Sequence, residues 1–130
     1  MTRVLALDYG AARCGCALSD PTGTLATPLP AIERPAGKRG TQAIAALVRE
    51  HGAERVVVGL PLTLAGEAGA QAEEAREFAE RLRGVLTVPV ELYDERLTTR
   101  QAARAGGRAE EDSRAAAHLL EAYLARSVRG

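Results

Sequence analysis

Several residue types are scarce in this 130-residue sequence, and each shortage excludes a class of protein. The chain has two cysteines, one phenylalanine, three tyrosines and no tryptophan. Cys14 and Cys16, two positions apart, supply neither a disulfide framework nor a zinc site, because further ligands at suitable spacing are missing. We expect both thiols to lie buried on one face of a strand. The few aromatic rings also leave little for base stacking along a single strand.

Long apolar runs and an excess of either charge are missing as well. No run of about 18 apolar residues occurs, and the N-terminus enters a strand pattern directly, so we expect a cytoplasmic protein without a membrane segment. Seventeen basic residues balance seventeen acidic ones, which argues against a general polyanion-binding coat. The length suits one domain over residues 1–130.

Hydrophobic periodicity predicts an α/β layered domain in which strand and helix patterns alternate. Pro28 and Pro30 mark the third strand as an edge, and Gly52 and Gly84 are predicted to end the first two helices. Strands are predicted at residues 4–8, 14–19, 24–33, 55–60 and 88–93, and helices over 44–51, 72–82, 98–105 and 112–126.

Carboxylates stand where these predicted elements begin or end. Asp8 ends the first strand, Asp94 and Glu95 follow the last strand, and Asp112 opens the last helix, four residues before Ala116 of its apolar stripe. Ligands of parallel sheets gather beyond the carboxyl ends of the strands, so we expect these carboxylates to be neighbours. Two of them also have a local structural explanation: Asp8 could stabilise a turn, and Asp112 could cap its helix.

Three converging carboxylates without a Cys or His ligand favour a hard cation such as Mg²⁺ or Mn²⁺. Such a centre can activate water and stabilise the attacking and leaving oxygens of a phosphodiester, so we predict hydrolysis of a nucleic acid. Asp94 and Glu95 cannot both aim at one point on a continuing strand, and their spacing alone does not choose between them.

Arginine provides nearly all of the positive charge, since 16 of the 17 basic residues are arginine. The planar guanidinium suits phosphate, and four arginines near the carboxylates are candidates to hold it, with a solvated surface position as the alternative. These are Arg13, Arg96, Arg100 and Arg114. Tyr9 is a candidate for base stacking, and the loop at residues 60–69 either closes over a substrate or is a plain surface loop.

Four short motifs, spread in order over nearly the whole chain, together resemble the YqgF-type family. Members of that family are assigned to pre-16S ribosomal RNA processing and are also called Holliday-junction-resolvase-like proteins of the RNase H-like superfamily. The motifs are Asp8-Tyr9-Gly10 with Arg13 and Gly15, Val58-Gly59-Leu60-Pro61 with Gly66, Asp94-Glu95-Arg96-Leu97-Thr98-Thr99, and Asp112-Ser113-Arg114-Ala115-Ala116. Ala65 departs from the pattern, because relatives often have Asp before the loop glycine.

The resemblance implies an RNase H-like fold, with a mixed five-stranded sheet and helices on both faces, and a nuclease that depends on Mg²⁺ or Mn²⁺. It maps the catalytic, metal-binding carboxylates onto Asp8, Glu95 and Asp112, and so selects Glu95 over Asp94. The implied substrate is pre-16S ribosomal RNA, matured at its 5′ end during ribosome biogenesis. The residues predicted to contact the substrate are Tyr9, Gly10, Arg13, Arg96 and Arg114.

Two other functions remain open at this point, and a third is excluded by length. A Holliday junction resolvase would use the same chemistry on branched DNA, usually as a dimer, and the residues separate the two substrates poorly. A non-catalytic RNA-binding module would not require a carboxylate on the apolar stripe of the last helix. An actin-like or sugar-kinase ATPase would need two lobes, for which 130 residues are too few. The ribosome is a predicted partner, and either a monomer or a homodimer is compatible with the sequence.

Overall fold

The structure is a computed structural model that describes residues 3–60, 70–94 and 109–129. Within these ranges only the backbone is described for residues 60, 70, 94, 109–112 and 126–129. The elements, in chain order, are β1 Val4–Asp8, β2 Arg13–Ser19, β3 Ala26–Glu33, α1 Lys38–His51, β4 Arg55–Leu60, α2 Ala70–Val85, β5 Val90–Asp94 and α3 Ala109–Arg129.

The five strands form one mixed sheet in the order β3-β2-β1-β4-β5. Strand β1 lies at the centre, antiparallel to β2 and parallel to β4, while β5 continues the parallel half. Strand β3 is an edge, as Pro28 and Pro30 predict, since neither proline can donate a hydrogen bond to a further strand. The predicted mixed five-stranded sheet is therefore confirmed.

Alternate residues of β1 pack into two separate layers. Leu5 and Leu7 join a core beneath α1 and α2, whereas Val4 and Ala6 join a core beneath α3. All four side chains are buried, because β1 is paired on both edges and covered on both faces. Helices thus cover both faces of the sheet, as predicted.

The core beneath α1 and α2 is the larger and is built around Phe78. Ile44 of α1 and Leu82 of α2 pack in the same cluster at the apolar positions that their helical spacing predicts. Cys14 and Cys16 are free, buried thiols in this cluster, which confirms the prediction for them.

Small residues let α3 approach the other face closely. Ala116 and Ala117 are buried there with Leu119, Leu120 and Tyr123 of the same helix. The predicted apolar stripe of the last helix is therefore confirmed. Within the described residues, no helix is both long enough and apolar enough to span a membrane.

Several predicted boundaries were wrong. The largest shift is at α1, which begins at Lys38 rather than at residue 44. Helix α3 begins at Ala109 rather than Asp112, because alanine and two glutamates form a favourable first turn. Helix α2 continues past Gly84 to Val85, and Gly84 does not adopt a positive φ. Strand β5 begins at Val90, since Pro89 has no N–H for the ladder. The predicted helix at 98–105 lies outside the described residues.

The start of α1 makes a tight contact that tests this architecture. A Cβ at Gly40 would clash with the carbonyl oxygen of Arg34 and lie 2.6 Å from the Cα of Pro35. We expect Gly40→Ala to lower the free energy of unfolding by about 2 kcal/mol. Gly84→Ala is the matched control: apart from its chain neighbours and its own helix backbone, no described atom would lie within 4 Å of the added Cβ, so helix propensity should raise stability by up to about 1 kcal/mol. Urea denaturation measures both, and equal effects would contradict the packing described.

Candidate active site

Asp8 is the last residue of β1, and the strand places it at an open end of the sheet. It pairs with Gly15 of β2 and is half-buried. Val4 and Ala6, four and two residues earlier, lie on the α3 face, so alternation puts Asp8 on that face too. Gly15, its partner, contributes no side chain beneath α3. The carboxylate therefore stands where the α3 layer meets solvent.

The end of β5 lies level with Asp8, with β4 between the two strands. Asp94 pairs with Leu60 of β4, and Val58 of β4 pairs with Leu7 of β1. Two strand spacings separate β1 from β5, about 10 Å. The backbones of Asp8 and Asp94 therefore lie at the same edge of the sheet, as expected. Glu95 lies outside the described residues.

Residues of β5 also divide between the two faces. Val90 belongs to the core beneath α1 and α2, whereas Tyr93 belongs to the core beneath α3. Glu91 reaches α3 as well, because it accepts a hydrogen bond from the hydroxyl of Tyr123 at 2.7 Å. The odd-numbered positions of β5 therefore share the face on which Asp8 stands.

Asp112 lies inside α3, three residues after Ala109, so its predicted role as the residue that opens the helix was wrong. Its backbone belongs to the first turn, one position before Ser113. Ser113 is buried, and its hydroxyl bonds to β2 and β3. The first turn of α3 is consequently fixed over the antiparallel half of the sheet, next to the strand that pairs with Asp8.

The distal half of α3 is fixed by a second polar group, at the opposite end of the parallel strands. Arg55, at the start of β4, pairs with Glu91 and donates to the hydroxyl of Tyr123 at 3.1 Å. The ring of Tyr123 meets that of Tyr93 edge to face, with centroids 5.7 Å apart. Sequence reasoning missed this group and the contacts of Ser113. The only local signal for the group of Arg55, Glu91 and Tyr123 was a charged residue near the start of each of two apolar strands, β4 and β5.

Tyr9 lies on the face opposite to Asp8. Its ring packs against Phe78 of α2, with centroids 4.8 Å apart and planes at 34°. Burial, followed by the charge of Glu74, raises the pKa of its hydroxyl. The ring is half-buried, so part of its surface remains accessible, and its role in stacking stays a prediction.

Gly10 and Arg13 frame the turn between β1 and β2. A Cβ at Gly10 would lie 2.7 Å from the carbonyl oxygen of Arg13, so this turn accepts only glycine without a shift of the backbone. Arg13 begins β2 at an odd-numbered position and shares the α3 face by alternation. A contact of either residue with substrate stays a prediction.

The remaining predicted phosphate contacts fall in two groups. Arg114 is exposed on α3, one residue after Ser113. Arg96 and Arg100 lie outside the described residues, as does the loop at 61–69.

Only Asp8 of the three predicted metal ligands has a described side chain. Among the described side chains, no three His, Cys, Asp or Glu residues cluster in a way that could hold a metal ion.

The same architecture occurs in solved structures. Thermus thermophilus RuvC superposes with a TM-score of 0.58 at 18% identity, over 98% of this chain and 97% of that one. RuvC of the same organism in complex with a Holliday junction gives a TM-score of 0.57 at 19% identity, over 98% and 96%. The fold is therefore RuvC-like, within the RNase H-like class, as predicted.

Sequence comparison then identifies the family. The RuvX model, described as "Holliday junction resolvase", matches residues 2–126. A protein of Chloroflexus aurantiacus is 43% identical over 130 residues, covering 93% of this chain and 85% of that protein. A protein of Mycobacterium tuberculosis is 46% identical over 132 residues, covering 94% and 78%. Both are named "Putative pre-16S rRNA nuclease". The chain belongs to the RuvX family, and the resemblance seen in its motifs is confirmed.

The Tyr123 hydroxyl gives a pH-dependent test of how α3 is held. Burial, with the bond to Glu91, raises the pKa of Tyr123 above its ordinary value of 10.0. Its protonated form thus stabilises the fold below pH 10, and this stabilisation is lost as the pH rises through the raised pKa. Tyr123→Phe should cost about 1 kcal/mol at neutral pH and show a smaller loss of stability above pH 10.

Denaturation curves from pH 7 to 11 would measure this difference. Tyr9→Phe is the control, because the pKa of Tyr9 is also raised although its hydroxyl has no role at α3. Tyr9→Phe should likewise lose less stability than wild type above pH 10. It should not lose stability at neutral pH, because it leaves the hydrogen bond to Glu91 intact. An unchanged alkaline profile in Tyr123→Phe would contradict the described burial.

Proposed function

We propose that the protein is a divalent-metal-dependent nuclease that matures the 5′ end of pre-16S ribosomal RNA. The observation that carries this proposal is the position of Asp8, which ends the central strand on the face that α3 covers. The parallel strands end at the same edge of the sheet. The names of the relatives and the description of the family model support a nuclease.

The proposed ligands are Asp8, Glu95 and Asp112. Glu91 and Tyr93 face α3, so continued alternation would direct Glu95, rather than Asp94, toward the same face. Helical periodicity argues similarly for Asp112, which precedes the fully buried Ala116 by one turn. Strand parity and helix periodicity therefore select the same three carboxylates that the family resemblance selects.

This donor set fits a hard cation. Carboxylate oxygens are the ligands that Mg²⁺ and Mn²⁺ prefer, and the site lies at the edge of the core, where open positions can hold water and phosphate oxygens. When bound, the cation would supply an activated water and stabilise the negative charge that develops on the phosphate. Asp8 pairs with Gly15 of β2 and directly follows Leu7, which is paired on both sides, so its backbone position is set before substrate arrives.

Recognition of the RNA would depend on its backbone more than on its bases. We assign phosphate contacts to Arg13, Arg96 and Arg114, with Gly10 shaping the turn beside Asp8. Tyr9 remains available for a single base through the accessible part of its ring. We further propose that the protein works in the cytoplasm on precursor ribosomal particles. Branched DNA is the second candidate substrate, because the description of the matching family model names it.

Asp8→Asn tests the proposed chemistry at its best-placed residue. The substitution keeps the size of the side chain but removes its charge, so Mg²⁺- or Mn²⁺-dependent cleavage of a labelled pre-16S precursor should fall by at least about 100-fold. Stability should hold or rise, since repulsion between carboxylates is relieved. A four-way DNA junction and a single-stranded RNA serve as competing substrates. Near wild-type cleavage by a folded Asp8→Asn protein would refute the proposal.

The carboxylates that follow Tyr93 provide a second test with an internal control. Glu95→Gln should abolish cleavage, whereas Asp94→Asn should retain most of it, because the two positions alternate between faces of the strand. Single-turnover rates with the enzyme in saturating excess over the substrate separate this chemical effect from a change in substrate affinity. If the two variants lose activity in the opposite order, Glu95 is not the ligand.

A further inference from the structure

The hydroxyl of Ser113 is inserted between two strands of the sheet. It accepts a hydrogen bond from the backbone N–H of Cys16 in β2 at 3.3 Å and donates to the carbonyl oxygen of Leu29 in β3. Cys16 and Leu29 are direct partners in the register of these strands. A side chain of α3 thus bridges two backbone groups of facing residues.

An irregularity in the sheet makes room for this hydroxyl. The pairing of β2 with β3 shifts between Cys14 and Cys16, so that two residues of β3 stand opposite Gly15. A bulge of this kind interrupts the ladder and leaves polar backbone groups to be satisfied in another way. Ser113 is 2% exposed, and its hydroxyl serves one donor and one acceptor there.

The position of this bridge connects it to the proposed metal ligands. Cys16 stands opposite Leu7, and Gly15 stands opposite Asp8, so the bridge is one residue from the level of Asp8. It lies about 1.5 strand spacings from β1, or about 7 Å. Asp112 directly precedes Ser113 in the first turn of α3.

We propose that Ser113 is a positioning residue, which bonds α3 to the bulge of β2 and β3 and thereby sets Asp112 at the distance from Asp8 that a divalent cation requires. This role rests on the proposed function. Residues that orient a metal ligand commonly change the metal affinity by about 10- to 100-fold, although they do not touch the metal. Ser113 itself contacts neither substrate nor cation.

Ser19 provides a matched control. It is also a buried serine, and its hydroxyl accepts a hydrogen bond from the N–H of Val4 at 2.8 Å. Val4 is at the opposite end of β1 from Asp8. Ser113→Ala and Ser19→Ala therefore each remove one buried hydroxyl that bonds to the backbone of the same sheet, but only Ser113 lies next to a proposed ligand.

The experiment compares wild type, Ser113→Ala, Ser19→Ala and Asp8→Asn by three measurements. Electron paramagnetic resonance of free Mn²⁺ gives the dissociation constant, thermal melting of the metal-free protein gives stability, and hydrogen exchange reports on the amides of residues 113–118. We expect Ser113→Ala to weaken Mn²⁺ binding by about 10-fold or more and to speed exchange in that segment. Ser19→Ala should lower the melting temperature comparably while its dissociation constant stays within about 2-fold of wild type.

Ser113→Cys guards against loss of folding in the alanine variant. Its thiol is somewhat larger than the hydroxyl but fills the site and keeps a weak donor, so the variant should fold and give an intermediate Mn²⁺ affinity. Mn²⁺ binding that depends on Asp8 but responds equally to Ser113→Ala and Ser19→Ala would overturn the role of Ser113 and leave the proposed function standing. Binding that Asp8→Asn does not weaken would instead overturn the proposed function.

Discussion

The pairing of β1 on both edges, together with the helices on both of its faces, is the constraint on which the rest of this structure depends. Burying a charged group inside such a strand would cost on the order of several kcal/mol. The residues from Val4 to Leu7 must therefore be apolar. The chain can place a carboxylate only where the strand leaves the core. Asp8 occupies that position: it pairs with Gly15 of β2 and directly follows Leu7, which is paired on both sides.

Helix α3 carries the second element of the proposed site, and it is fastened to the sheet at two separate places. Ser113 holds its first turn over the β2–β3 bulge, and Tyr123 holds its distal half through Glu91 and Arg55. Ten residues separate the two anchors, about 15 Å along the helix axis. With alanines packed between them, the helix has little freedom to slide, and the position of its first turn over the sheet is set by these side-chain contacts.

Much of this architecture could be predicted from the sequence because its signals are local. Apolar runs and helical stripes identified the strands and helices, prolines identified the edge strand, and the spacing of Ala116, Leu120 and Tyr123 identified the buried side of α3. The family motifs then supplied the choice of Glu95, which the alternation of β5 supports. That choice remains a proposal, since Glu95 lies outside the described residues.

The anchors of α3 could not be predicted, and the reason is physical. Ser113 bonds to residues 97 and 84 positions away, at a bulge that exists only once β2 and β3 have paired. Arg55 and Tyr123 are 68 positions apart and each looks ordinary in its own segment. The start of α3 was misplaced for a related reason: Asp112 resembles a cap, whereas three preceding residues with good helix propensity extend the helix past it.

Locating Mn²⁺ by anomalous diffraction in crystals of the wild-type protein tests the central claim most directly. A peak on the α3 face of the sheet, with Asp8 and Asp112 oxygens at about 2.1 Å from the ion, is the predicted result. Density that approaches the strand ends from the α1 and α2 face, or that is coordinated without Asp8, would contradict a metal centre built on the end of β1.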